Sequence, residues 1–380
     1  MADTSSLNPI SEGGTTVFVY TDDYTVKKGP GKKQHPSFYN PAMTMNRDSS
    51  ILVVQQLINK RKKTVEILDG MAASGIRGFR FINELTGDFS VTINDWGEKS
   101  YQLIEENTRH MPIENHQITN EDIHVLLSKN HYDYIDIDPF GSPAVFIDSA
   151  LRSIRNNGII AVSATDTATL CGVYPKVCLR RYNSLPLHGP CMHETALRVL
   201  IGFIGRQAGK YEKGVIPVFS YGTDHYFRVY LRIKSGVNQA NHCIEQIHTL
   251  SSSKVPFQKE PYQSFGPVWT GTLHDKIVLS DLLQIIPMKS FDEEKPIRNL
   301  LKICEQEALM PPFYFSTTLL SKQFKTSAPP LDEFLKKFEK KGFFVTKTQF
   351  DPTGFKTNAS KKDIETLFLN QVENDFSSKT

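Results

Sequence analysis

From Thr64 to Ala164 the chain repeats one pattern, a short apolar run followed by an amphipathic stretch of helical period. That alternation restricts it to a small set of architectures. The strand-like runs are Thr64–Leu68, Ser90–Asn94, a weaker Gln117–Thr119, Tyr132–Ile137 and Gly158–Ala164. Between them the spacing predicts helices over Gly75–Leu85, Gly97–Arg109, Asp122–Ser128 and Ala144–Arg155. Strands buried on both faces and separated by helices form βαβ units, so the expected fold is α/β with a parallel sheet covered on both sides. His193–Gly209 continues as a helix, and Gly214–Tyr221 with Tyr226–Lys234 read as a closing hairpin. Upstream, Thr15–Tyr20 reads as a strand, and the Gly-Pro-Gly centre of Lys27–Lys33 forbids regular structure. Asp48 or Ser49 caps a helix that runs to about Lys60. The sheet domain, with its N-terminal extension, is expected to occupy residues 1–235.

A chain of 380 residues is too long for that domain alone. Residues 238–380 are expected to form a smaller α+β domain. Its helices read as Pro296–Ala308, Ser316–Phe324 and Pro330–Lys341. A hairpin of Phe343–Phe350 and Phe355 onward follows across Asp351–Gly354, an arrangement of the winged-helix kind. The net charge of +3 decides nothing about partners. Ser321–Lys362, however, holds ten basic and four acidic residues, the local clustering expected of a nucleic-acid surface. The five cysteines form no C-x-x-C pair, which argues against a disulfide framework and for a reducing compartment. Met1–Gly14 has no basic-then-apolar leader, and no run approaches the roughly eighteen apolar residues of a membrane span. The expectation is a soluble intracellular protein.

Chemistry-bearing residues fall at the carboxyl ends of the predicted strands, where open α/β sheets bind ligands. After the first strand, Asp69-Gly-Met-Ala-Ala-Ser-Gly75 is a small-residue turn opening a helix, suited to a ligand that approaches the backbone or to a merely tight turn. After the second, Asp95 offers a carboxylate for ribose hydroxyls, although a solvated aspartate in that place is common. After the third, Asp122 and Ile123 offer a carboxylate and an apolar side chain for an adenine ring, and Asp122 equally suits a helix cap. After the fourth comes Asp138-Pro139-Phe140-Gly141-Ser142-Pro143. A carboxylate, a proline-stiffened carbonyl and an aromatic face suit a planar base with an exocyclic amine. Asp138 and the Pro139 carbonyl would take the two amine hydrogens while Phe140 stacks on the ring. The blander alternative is a stiff loop in which Asp138 caps the next helix.

Asp138-Pro-Phe-Gly resembles the Asp-Pro-Pro-Tyr signature of class I S-adenosylmethionine-dependent methyltransferases that act on exocyclic amines. More closely, the chain resembles the tRNA (guanine-26) N2-dimethyltransferases of archaeal type. The matching segments include Phe38-Tyr-Asn-Pro41, Asn46-Arg47-Asp48, Gly75-Ile-Arg77-Gly78 and Asp138–Pro143. Thr165-Asp166, Leu170-Cys171-Gly172, Cys191-Met-His193-Glu194 and Asp224-His-Tyr-Phe-Arg228 follow, then Gly266-Pro-Val-Trp269 and Pro352-Thr-Gly354-Phe-Lys356-Thr357. The resemblance implies a Rossmann-like class I methyltransferase domain and methyl transfer from S-adenosylmethionine to N2 of guanine 26. It implies a cofactor pocket of Arg47, Arg77, Asp95, Asp122 and Ile123, with Asp138, Pro139 and Phe140 catalytic. The two arginines would pair with the cofactor's carboxylate or with Asp69, or else form structural ion pairs.

Phosphate contacts are expected from Lys322, Lys325, Lys336, Lys337, Lys340, Lys347 and Lys356. The partner is then tRNA, with no membrane, a cytoplasmic location and a monomeric chain. The resemblance implies two C-x-x-C pairs, which many members carry as a zinc site, but His242–Ser264 holds only Cys243, so no structural metal is expected. Cys191 reads as a small buried residue and not a nucleophile, and Lys60–Lys63 as a solvated helix end. The rival readings are methylation of another exocyclic amine, such as guanine 10 of tRNA or adenine N6, and an inactive RNA-binding protein.

Overall fold

The computed structural model describes residues 7–20, 39–109, 116–223 and 225–377. The loop at Lys27–Lys33, Phe38 and Asp224 lie outside the described residues. The chain opens with an antiparallel hairpin, β1 (Leu7–Glu12) and β2 (Thr15–Tyr20), turned at Gly13. Helix α1 (Thr44–Lys60) starts four residues before the expected cap at Asp48. There Asn40 accepts from the Ala42 N–H, and Pro41 opens a short 3-10 turn that leads into the helix.

The expected alternation then appears as β3 (Val65–Asp69), α2 (Ile76–Glu84), β4 (Phe89–Asn94), α3 (Glu98–Arg109), β5 (His116–Thr119), α4 (Ile123–Lys129), β6 (Tyr132–Ile137), α5 (Ile147–Ser153) and β7 (Ile154–Ala164). Two short helices follow, α6 (Thr167–Leu170) and α7 (Pro175–Tyr182), then α8 (Met192–Gly209) and the closing hairpin β8 (Lys213–Gly222) and β9 (Phe227–Ser235). The seven strands order as β5-β4-β3-β6-β7-β9-β8, parallel from β5 through β7, with β9 and β8 antiparallel. The winding reverses between β3 and β6, so the crevice for a ligand opens beyond their carboxyl ends.

Alternation along each strand divides the interior in two. Leu68, Ile135, Ile160 and Leu231 face one core with α4, α5 and α8. Ile67, Tyr134, Ile159 and Tyr230 face the other with α1 and α2. The stretch that reads as undistinguished in sequence forms α9 (Val237–Ile244), β10 (Ile247–Ser251), β11 (Ser264–Trp269) and α10 (Lys276–Ile285), before α11 (Glu294–Glu307). These elements complete the sheet's own cores. Phe265, Val268 and Trp269 join the first, and Leu279, Leu282, Ile297 and Leu301 the second.

A separate core of Leu320, Phe334, Phe338, Phe355, Ile364 and Phe368 belongs to the last elements. They are β12 (Phe315–Ser316), α12 (Thr317–Phe324), α13 (Leu331–Lys340), β13 (Val345–Lys347), β14 (Gly354–Thr357) and α14 (Lys361–Ser377). The three strands pair in the order β12-β14-β13. The division expected at 235–238 therefore does not coincide with the edges of the cores, which separate near residue 315. Among the described residues no helix is long and apolar enough to cross a membrane.

Candidate active site at the carboxyl edge of the sheet

The predicted residues at the strand ends converge on one edge. After β3, the Gly70 N–H donates to the Asp136 carbonyl at 3.2 Å, and the Ala72 N–H to the Asn94 carbonyl at 2.9 Å. A Cβ on Gly70 would lie 2.6 Å from Ile123 Cδ1 and 3.0 Å from the Asp136 oxygen, so any side chain there would press on both. Gly75 begins α2 with φ +79°, a left-handed conformation that disfavours side chains. Asp95, just beyond β4, accepts from the Ala73 N–H at 2.8 Å through Oδ2 and from the Gly97 N–H at 2.8 Å through Oδ1. Burial raises its pKa, with those N–H groups opposing. Asp122 caps α4, its carboxylate accepting from His124 N at 2.8 Å, while Ile123 is buried beneath the turn. The blander reading of Asp122 is therefore what its side chain does in the protein.

Asp138 follows β6, and its Oδ2 makes a short contact with Arg77 Nη2. Its Oδ1 accepts no hydrogen bond among the described residues. Arg77 also donates to Asn46 Oδ1 at 2.8 Å and Ser50 Oγ at 2.9 Å, and lies 3.4 Å from Asp136 and 3.8 Å from Asp69. Burial opposes its charge, yet Asp136 and Asp138 hold the guanidinium above its ordinary value. Beneath it, Arg228 is fully buried and donates to both oxygens of Asp136, at 3.0 and 2.6 Å. Burial pushes Asp136 up, but Arg228 and Arg77 prevail and hold it below the usual range. Asp69 has weaker partners: burial, with Asp136 and Asp138 nearby, pushes it up to about 7 against the pull of Arg77. Arg228 reads in sequence only as one letter of a matching motif; the structure makes it the floor of the site.

Arg47 pairs neither with Asp69 nor towards the strand ends. Its Nε and Nη2 bond Glu12 at 2.6 and 2.5 Å, and Nη2 donates to the Asn40 carbonyl at 2.9 Å. Arg80 bonds the same Glu12 at 2.7 Å. Burial raises the Glu12 carboxyl, but Arg47 and Arg80 overcome it and lower the pKa from 4.5 to about 2. A carboxylate with a depressed folded pKa contributes stability above its unfolded value and loses it as pH falls. Glu12→Gln is therefore expected to lower unfolding stability by about 3 kcal/mol at neutral pH. Urea titrations should show that difference constant above pH 4.5 and shrinking as pH falls towards about 2.

The loop after Asp138 is braced. The Gly141 N–H donates to Thr165 Oγ1 at 2.6 Å, and the Thr165 N–H returns to the Gly141 carbonyl at 3.0 Å. Ser142 Oγ donates to Tyr182 Oη at 2.8 Å, which donates to Asp166 at 2.7 Å. Pro139 is partly buried and Phe140 is 50% exposed, so the aromatic ring stands at the mouth of the site.

The expected phosphate contacts divide. Lys322, Lys325, Lys336 and Lys340 are exposed and Lys337 half-buried. Lys347 pairs with Asp332 at 2.7 Å and, with Lys336 and Phe344, lines a groove of about 940 Å³. Lys356 contradicts the expectation. All of β14 is buried, and Lys356 Nζ reaches inward to Glu194 at 3.0 Å and Glu307 at 3.8 Å, so no phosphate can meet it. Glu194, also bonded by Arg198 at 2.8 Å and by the Phe313 N–H at 2.8 Å, is a buried tie.

All five cysteines are buried and reduced. Burial pushes Cys191 up to about 12, as expected of an inert core thiol, and Cys243 packs within about 3.0 Å of a Cβ built on Gly205. His274, Cys304 and Glu307 cluster closely enough to hold a metal, but Gln349 Nε2 lies 3.3–3.4 Å from each and fills their centre. At the basic helix end, Lys60 pairs with Asp281 and Arg61 with Asp133.

Comparison with known proteins follows this geometry. A family model described as N2,N2-dimethylguanosine tRNA methyltransferase matches residues 16–368. The chain is 38% identical over 369 residues to the tRNA (guanine(26)-N(2))-dimethyltransferase of Methanocaldococcus jannaschii, covering 93% of this chain and 97% of that one. It is 36% identical over 351 residues to the Pyrococcus furiosus protein of the same name, covering 85% and 90%. Among solved structures, the complex of Trm1 from Pyrococcus horikoshii with S-adenosyl-L-methionine superimposes with a TM-score of 0.83 at 30% identity, covering 95% of this chain and 99% of that one. Matched nearly end to end by sequence and by structure, the chain belongs to the N2,N2-dimethylguanosine tRNA methyltransferase family.

Proposed function

We propose that this protein transfers methyl groups from S-adenosylmethionine to the exocyclic N2 of guanine 26 in tRNA, giving N2-methylguanosine and then N2,N2-dimethylguanosine. The observation that carries the reading is Asp138-Pro-Phe-Gly standing where the sheet winding reverses, in a chain that matches this family from residue 16 to 368. The residues at that edge fit a nucleoside cofactor. Asp95 has lone pairs left for ribose hydroxyls, Ile123 and the Gly70 turn form a close apolar wall, and the start of α2 presents N–H groups. Arg77 is placed to orient the cofactor's amino-acid end. Asp122, which caps α4, and Ile123 border the pocket, whereas Arg47 is committed to Glu12 and does not reach it.

Bound there, S-adenosylmethionine supplies an electrophilic methyl group on a sulfonium. The chain's task is to hold the amine. Asp138 Oδ1 and the Pro139 carbonyl accept the two N2 hydrogens, Phe140 covers the ring, and Arg77 fixes the carboxylate through its other oxygen. When nitrogen gains its methyl it must lose a proton, and Asp138 is the acceptor within reach. A base inside folded tRNA has to leave its stack, which costs a few kcal/mol. Contacts of Lys322, Lys325, Lys336, Lys337 and Lys340 with phosphates offset that cost. We further read the protein as a cytoplasmic monomer without a structural metal, its last domain winged-helix-like.

The test is nucleoside mass spectrometry of an unmodified tRNA transcript incubated with the protein and S-adenosylmethionine. N2-methyl- and N2,N2-dimethylguanosine are expected, and a transcript carrying adenosine at position 26 should remain unmodified. Formation of N6-methyladenosine, or methylation unaffected by the position-26 change, would overturn the reading.

A further inference from the structure

The segment joining β7 to α8 has no part in the chemistry above, yet it is bolted to the catalytic loop. Thr165 exchanges two hydrogen bonds with Gly141, and Ser142, Tyr182 and Asp166 form a continuous chain of 2.8 and 2.7 Å bonds. Arg181 closes that chain on Asp166 at 3.0 Å. Helix α7 therefore keeps a fixed offset from Asp138 and Phe140.

Its inner face, Cys178 and Tyr182, is buried, whereas its outer face is open. Lys176 and Arg180, one turn apart, share that outer face, are exposed, and have no carboxylate partner among the described residues. The turn before the helix exposes Val173 and Tyr174, the latter 56% accessible. Between Asp166 and Glu194 the chain carries no acidic residue. An aromatic side chain beside unpaired cations, with the one neighbouring carboxylate, Asp166, already paired to Arg181, is complementary to a polyanion that has bases to stack.

We propose that α7 and the turn before it form the rim on which tRNA seats next to the reacting guanine. Lys176 and Arg180 meet backbone phosphates flanking it, and Tyr174 lies against the space its extrusion opens. These residues are other than the lysines of the last domain, and the assignment rests on the tRNA reading given above. Because the hydrogen-bond chain ties α7 to Gly141 and Ser142, phosphates held here set the position of the backbone relative to the catalytic carboxylate.

The experiment compares the full-length protein with K176Q/R180Q and with the charge-preserving K176R/R180K. Each is assayed for binding of one tRNA transcript across a salt series and for methyl transfer. The double glutamine variant is expected to bind roughly tenfold more weakly, with the slope of log Kd against log salt shallower by about 1.5, the effect of two lost phosphate contacts. KM for S-adenosylmethionine should not move, and K176R/R180K should keep the wild-type slope. If the wild-type protein methylates the transcript while K176Q/R180Q keeps its salt slope and affinity, the assignment of α7 is overturned and the activity stands. If the wild-type protein fails to methylate tRNA at all, both fall.

Discussion

Asp138→Ala is expected to reduce methyl transfer to tRNA by about a thousandfold or more while leaving cofactor affinity within a few-fold of wild type. A positioned acceptor for a reacting proton contributes roughly a hundred- to ten-thousand-fold, and Asp138 also orients the amine. Removing it does not unravel the floor of the site. Arg77 still has Asn46 and Ser50 at 2.8 and 2.9 Å and Asp136 at 3.4 Å. Asp138→Asn is expected to fall between the two, since it keeps an acceptor but cannot take up the proton. Radiolabelled methyl transfer with calorimetry of S-adenosylmethionine binding separates these outcomes. A D138A protein that transfers at the wild-type rate removes the carboxylate from the mechanism.

Arg228→Met should cost about 3–5 kcal/mol of folding stability, the effect of removing one partner from a buried pair. Asp136 would be left fully buried with only the more distant Arg77 for charge compensation, and Ser163 would lose one of its two 3.0 Å donors, keeping Asn46. The loss should exceed that of a methionine replacing an exposed arginine such as Arg152, where a change within about 0.5 kcal/mol is expected. Guanidinium unfolding measures it directly. An R228M protein as stable as wild type would show that Asp136 is neutral or solvated in the folded state.

The sheet was legible because its strands are short, apolar and regularly punctuated. From β3 to β9 the expected elements appear in order, with no end shifted by more than four residues, and only the short α6 and α7 were not expected. The site's carboxylates were legible for a related reason: strand ends place them, and Asp95 and Asp138 stand where that rule puts them. What was not legible is partnership across long separations. Leu7–Glu12 read only as part of a polar start, with Pro9 in its middle, yet β1 pairs with β2 and Glu12 receives Arg47 and Arg80. Helix α10 has no distinguishing signal in the sequence although Asp275 caps it, because Val278, Leu279, Leu282 and Ile285 have a core to enter only once α1 is in place. Lys356 counted as one more cation in a basic stretch, and nothing local reveals that β14 turns it inward. Charge clustering reports composition, whereas burial depends on the register of a strand.

That inward lysine has a mechanical consequence. Lys356 comes from the last strand of the terminal domain, and Glu194 opens the long helix beneath the sheet, so their 3.0 Å contact riveted inside the protein fastens one domain to the other. A clamp free to swing on a tether would tolerate RNAs of many shapes. A frame pinned in this way behaves as a caliper, with the gap between its basic arm and its methylating corner preset before any substrate arrives. On the function proposed above, a folded RNA would then have to match that gap with its own dimensions.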